Sequence, residues 1–223
     1  GDDWEFWFTQ HAWGPWVDIE TSAGDEIHIG LDDLITNIEM ILEFEVGVRK
    51  GKWGFSSDVI YYRGSVDSDS EIGPLEVGEF TLSEWILTPK LSYRVLEEDW
   101  GFLELNAGAR YTWIKAKQRF EVDLPLGGSR STSLTPKRTV LDALIGIRGE
   151  YNITDRWYVP YYFDASSGDT DYTVQAFAAI GYRFEYADIA LGFRFLHYKF
   201  GDAIPALDTE TGYGPQLQAK FTF

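Results

Sequence analysis

Cysteine is absent from the 223-residue chain, so neither a disulfide scaffold nor a thiolate metal site is open to it. Basic side chains are scarce. Nineteen Lys and Arg stand against 36 Asp and Glu, a formal charge of −17, which argues against a nucleic-acid partner. No window approaches 18 uncharged apolar residues, so no membrane-spanning helix is expected. No signal peptide is visible at Gly1-Asp2-Asp3, which fits a chain that never had one or one numbered from its mature start. The 22 Gly and 8 Pro follow no period, excluding collagen-like and low-complexity classes. Neither GxSxG, HExxH, a P-loop nor a Rossmann spacing occurs. Aromatic residues, by contrast, make up 17% of the chain, enough to bury a large core and exclude disorder.

The dominant pattern has a period of two. Tyr172, Val174, Ala176, Ala178, Ile180, Tyr182 and Phe184 share one face, with Thr173, Gln175, Phe177, Gly181 and Arg183 on the other. Residues 37–49 set Ile38, Met40, Leu42, Phe44, Val46 and Val48 against Glu39, Glu43, Glu45 and Arg49. The last segment sets Leu217, Ala219, Phe221 and Phe223 against Gln216, Gln218, Lys220 and Thr222. Strands of soluble sandwiches average about 5–6 residues. These runs are longer and match the about 9–11 residues of a membrane-spanning strand. Aromatics sit near both ends of the apolar rows, as in Trp53 and Tyr61, Trp157 and Phe163, and Tyr172 and Phe184, the girdle expected at two membrane–water interfaces. The alternative is a soluble barrel with an apolar inside.

Short connections (49–54, 96–101, 151–156, 184–188) alternate with long polar ones (13–36, 64–78, 115–137, 164–171, 201–211). Threading strands between them predicts ten: 4–12, 37–49, 53–63, 79–95, 100–114, 139–151, 156–164, 171–184, 188–200 and 212–223. The expected fold is all-β, a single domain over 1–223: a transmembrane antiparallel up-and-down barrel with short periplasmic turns and long extracellular loops. Eight or twelve strands are the alternatives. Twelve follows if 16–20 and 26–30 pair as a hairpin that enters the membrane. Residues 31–35 read as one helical turn.

Here a resemblance becomes specific. The stretches LDDLITNIE (31–39), GKWGFSSDVIYY (51–62), LNAGARYTW (105–113), GIRGEYNITDRW (146–157) and AAIGYRFEYADIALGFRFLHYKF (178–200), with 214–223, resemble a broad group of uncharacterised outer-membrane β-barrel proteins of Gram-negative bacteria. The terminal Phe after alternating apolar residues is similar to the ending by which such proteins are recognised for insertion. The resemblance implies fold and location, integral in the bacterial outer membrane. It implies no activity and no functional residues.

With the apolar row facing lipid, the other row points inward. Its acids are Glu5, Glu39, Glu43, Glu45, Asp58, Glu84, Glu104, Asp142 and Glu150. Its bases are Arg49, Lys90, Arg94, Arg110, Arg148, Arg156, Arg183, Arg194 and Lys220. An unpaired charge in a narrow lumen costs several kcal/mol, so equal numbers of both signs predict a paired, narrow or occluded interior. A wide selective pore shows one sign in a ring instead. The excess acid falls in the first two outer loops, at Asp18, Glu20, Asp25, Glu26, Asp32, Asp33, Asp67, Asp69, Glu71 and Glu76. The third is basic, with Lys115, Lys117, Arg119, Arg130, Lys137 and Arg138, and is a candidate to fold over the mouth or to contact lipopolysaccharide phosphates. Asp67–Glu71 lacks the Gly and later Glu of an EF-hand, so no metal and no cofactor is expected. His11, His28 and His197 are the only histidines, and no Ser lies within a few residues of His197. The expectation is a structural or interaction barrel that meets outer-membrane lipids, lipopolysaccharide or a protein partner at its loops. The alternatives are a narrow porin-like channel and, further off, a lipid-modifying enzyme.

Overall fold

The structure is a computed structural model that describes residues 3–30, 32, 36, 38–66, 70–72, 75–123, 129–134, 137–205 and 207–223. Its strands are β1 (Trp4–Trp13), β2 (Trp16–Thr21), β3 (Glu26–Ile29), β4 (Ile38–Lys50), β5 (Trp53–Val66), β6 (Ser70–Ile72), β7 (Leu75–Glu98), β8 (Gly101–Asp123), β9 (Ser129–Leu134), β10 (Lys137–Asn152), β11 (Trp157–Gly168), β12 (Tyr172–Arg183), β13 (Asp188–Lys199) and β14 (Leu207–Thr222). Among the described residues ten of them close a ring in the order β1-β4-β5-β7-β8-β10-β11-β12-β13-β14, every pairing antiparallel. β1 seals it, with Trp7 opposite both Gly47 of β4 and Thr222 of β14.

The hairpin anticipated at 16–20 and 26–30 forms, but it adds no stave to the ring. β1 pairs with the second half of β14, and β2 pairs with its first half. Pro15 has no N–H to give the ladder, so the chain breaks at Gly14-Pro15 and then continues beside the same partner. β3 returns along β2. The hairpin therefore lengthens the wall above β1 and β4. The helical turn anticipated at 31–35 lies, apart from Asp32, outside the described residues. The strands also outrun their expected bounds at the long-loop end, because alternation continues there. β8 runs to Asp123 and carries β9 on its edge, and β7 starts at Leu75 and carries β6. At the other end Gly51 takes a positive φ of 55° in the tight turn joining β4 to β5, a conformation that favours glycine.

The barrel is inside out by the standard of a soluble domain. Ile145, Leu191 and Ile180 expose 71%, 61% and 59% of their surface on the outer wall. Arg110, Arg194 and Glu104 are each 1% exposed, inside it. Such a wall is stable only against hydrocarbon, so this is a transmembrane barrel. Two aromatic girdles mark its edges. One, near the short turns, includes Trp53 against Tyr93 (4.8 Å between ring centres), Trp100 against Tyr151 (6.1 Å) and Trp157 against Tyr182 (5.0 Å). The other, near the long loops, includes Tyr61 against Trp85 (4.4 Å), with Trp113 next in register.

Candidate functional site

The inward row of alternate residues fills the ring at three levels. Nearest the short turns, Glu104 takes Arg49 at 2.5 Å and Arg94 at 2.9 Å. Glu150 pairs with Arg183, whose guanidinium also lies over the Tyr158 ring at 4.6 Å. Glu45 accepts from Arg148 and from the Trp7 indole, both at 2.8 Å, and Lys90 stands 3.6 Å away. Trp7 lies in the ring because Gly47 opposite has no side chain. A Cβ on Gly47 would run into the indole. Gly181 makes the same room for Tyr158.

At the middle level Arg110 donates to Asp164 at 2.7 Å and to the Ser166 hydroxyl at 3.1 Å. Arg194 donates to Gln175 (3.1 Å) and Gln216 (3.3 Å), pairs with Asp58 at 3.5 Å and lies 4.8 Å over the Trp13 ring. His11 stands beside this group, 4.0 Å from Asp58. Asp142 accepts the backbone N–H and the hydroxyl of Thr170, at 3.0 and 2.7 Å. A polar cavity of about 70 Å³ remains between these levels, lined by Thr9, His11, Glu45, Asp58, Lys90 and Lys220 among others.

Above Arg194 the interior turns apolar. Ile60, Ile86, Leu196, Tyr198 and Phe200 cluster there, with Trp13 against them. Of these, Ile60, Ile86, Leu196 and Trp13 border a second cavity of about 400 Å³, closed on one side by Val17, Ile19 and Ile29 of the β2–β3 hairpin. Glu43, Glu84 and Glu210 also line it. Glu43 accepts the Trp13 backbone N–H at 3.1 Å.

The expected inward charges fall largely on these levels, with exceptions. Arg156 is not in the lumen. It sits exposed at the turn before β11, where its guanidinium donates to the Tyr182 hydroxyl at 3.0 Å. The side chain of Glu39 lies outside the described residues. Glu5 is half-buried, and Lys220 lies 5.9 Å over the Trp7 ring. Three inward acids escape the sequence reading: Asp164, Asp188 and Glu210. Asp188 faces Lys220 across the ladder. Asp164 and Asp188 stand on the period-two row at the ends of their expected strands, 156–164 and 188–200, and extending the row of the last strand back past 212 finds Glu210. With them included and Arg156 removed, the described inward set leans acidic rather than balanced.

The third outer loop is described only in its arms. Its arms continue the wall as β8 and β9, and no ion pair joins it to the first two loops among the described residues. Lys115 and Lys137 are direct cross-strand partners. With Arg63 opposite Ser83 and Ser83 opposite Lys115, they form one lateral row across β5, β7, β8 and β10. The row faces outward, two residues beyond the Tyr61–Trp85–Trp113 girdle. Lys117, Lys137 and Arg138 are exposed, while the side chains of Arg119 and Arg130 lie outside the described residues. Of the histidines, His197 faces outward and lies 2.8 Å from the Thr211 hydroxyl, and His28 pairs with Asp18 on the hairpin. No group of acids and histidines with metal-holding geometry occurs among the described residues.

No protein-family model matches the chain, and no curated protein matches it. Solved barrels show distant similarity. Ail of Yersinia pestis, the attachment invasion locus protein, solved with the heparin analogue sucrose octasulfate, is 13% identical over the whole of both chains at a TM-score of 0.41. The toluene transporter TodX of P. putida is 7% identical over 100% of this chain and 90% of its own, at 0.38. Neisserial surface protein A is 13% identical over 99% and 97%, at 0.34.

Proposed function

We propose that the protein is an integral outer-membrane barrel of a Gram-negative bacterium that works at its rim rather than through its lumen, holding the phosphates of lipopolysaccharide. One observation carries the reading: Lys115 and Lys137 face each other outside the wall, directly above an aromatic girdle. Like charges directly opposite on a sheet destabilise it unless an anion lies between them. A lipid phosphate at that height supplies one, and lysine is a common phosphate ligand. The buried ion pairs of the lumen support the other half of the reading, since they occupy the space through which a solute would pass.

The test is titration of the folded protein, in neutral detergent, with lipid A. A basic residue near an anionic lipid surface contributes roughly 1 kcal/mol, so K115Q/K137Q is expected to weaken binding by roughly 2 kcal/mol, about thirtyfold. Equal binding by wild type and variant contradicts the reading, and so does a wild type that does not bind. The polar cavity of about 70 Å³ favours a second reading, a narrow water path for ions.

A further inference from the structure

The upper cavity contains a combination that nothing in the rim reading uses. Its walls are mostly aliphatic and aromatic, and its volume of about 400 Å³ suits a small organic molecule. Two carboxyls, Glu84 of β7 and Glu210 of β14, face into it from separate staves and are near enough to act on each other charge against charge. Among the described residues neither has an ion-pair partner. Acids at the two lower levels are treated differently: Glu45, Glu104, Glu150, Asp58 and Asp164 each hold an arginine, and Asp142 holds the N–H and hydroxyl of Thr170. Glu43, the third acid of the cavity, lies deeper and has Arg194 and the Trp13 N–H to answer it. The fold thus answers most of its lumen carboxylates with cations or hydrogen-bond donors and leaves Glu84 and Glu210 without an ion pair, both facing a mainly apolar chamber.

From this we infer that the chamber is a binding site for an amphipathic cation, a small apolar molecule carrying one amine, whose ammonium sits between Glu84 and Glu210 and whose body lies against Ile60, Ile86, Leu196 and Trp13. Two like charges in a poorly solvated space repel, and one cation between them relieves the repulsion and the desolvation together. The Trp13 indole N–H is buried without a partner, so the apolar end of the chamber also keeps one donor for a polar atom of the guest. The approach suits a cation. The hairpin that walls the chamber carries Asp18, Glu20, Asp25 and Glu26 and no Lys or Arg, and a field of that sign draws cations to the mouth.

The test uses three probes of one chain length: octylammonium, octanol and octanoate. Each is titrated calorimetrically into the full-length protein in lipid nanodiscs, with empty nanodiscs as the baseline. Wild type is expected to show one saturable site, about tenfold tighter for octylammonium than for octanol and weakest for octanoate. E84Q/E210Q, which keeps the shape of the chamber, should bring octylammonium down to the octanol value and leave octanol unchanged. I86W, which fills the chamber, should abolish binding of all three, with folding verified by heat-modifiable gel mobility. Equal affinities for octylammonium and octanoate, a preference that survives E84Q/E210Q, or heat no greater than the empty-nanodisc baseline would each overturn the inference.

Discussion

Arg110 shows what a single lumen residue has to do. It is 1% exposed, and its partner Asp164 is 4% exposed, so neither charge can fall back on water. Breaking such a pair from one side leaves a bare buried ion and costs about 3–5 kcal/mol, whereas replacing both ends with apolar groups of similar volume is often neutral. Arg110→Ala should therefore lower the urea midpoint of the folded barrel by an amount of that order, and R110M/D164L should recover most of it. A variant Arg110→Ala as stable as wild type would mean that the pair is incidental. Gly47 makes the complementary point about volume. Its missing side chain is where the Trp7 indole lies. Gly47→Val should displace that ring from Glu45 and destabilise the barrel by about 1–3 kcal/mol, as overpacking does. The same unfolding curves read both.

At the scale of the strand, facing decides everything, because a shift of one residue exchanges lipid for lumen. Ile145 on β10 points outward and Leu144, its neighbour, points in. Ile145→Arg should cost about 2–4 kcal/mol near mid-membrane and impair refolding into vesicles. Leu42→Arg on β4 belongs to the same outward row, and Glu43→Gln beside it should not incur that lipid-face penalty. Matching losses for Leu42→Arg and Glu43→Gln would mean that the facing is wrong. This facing was legible from sequence, since Glu43, Glu45 and Arg49 alternate with Leu42, Phe44, Val46 and Val48 without a break. Strand ends were less so. Glu210 reads as loop because polar residues continue a period of two without announcing it, whereas in the fold the ladder runs through it. Arg156 erred the other way. Its spacing fits the inward row of β11, but it belongs to the turn. The lateral row of Arg63, Lys115 and Lys137 needed register, which no single strand contains. The β2–β3 hairpin needed the partner of β1 to be known before its place in the wall could be fixed. Because the ring closes without it, replacing residues 16–29 by a short Gly/Ser link should leave a folded, heat-modifiable barrel that has lost the upper chamber. A chain that no longer folds would show the hairpin to be part of closure.

As a whole the molecule divides its charge. Acid predominates overall, at −17, while the middle of the lumen is held by arginines on carboxylates and the outer edge carries a short basic row. The two cavities, about 70 and about 400 Å³, are separated by the level at which Arg194 spans from Asp58 to Trp13, Gln175 and Gln216. On the function proposed above, a barrel built this way anchors and binds rather than conducts. Single-channel recording of the refolded protein in a planar bilayer tests that claim most directly. The account predicts a barrel that inserts, resists heat in detergent and stays electrically silent, whereas stable, discrete openings of the wild type would show a continuous water path past Arg194 and contradict it.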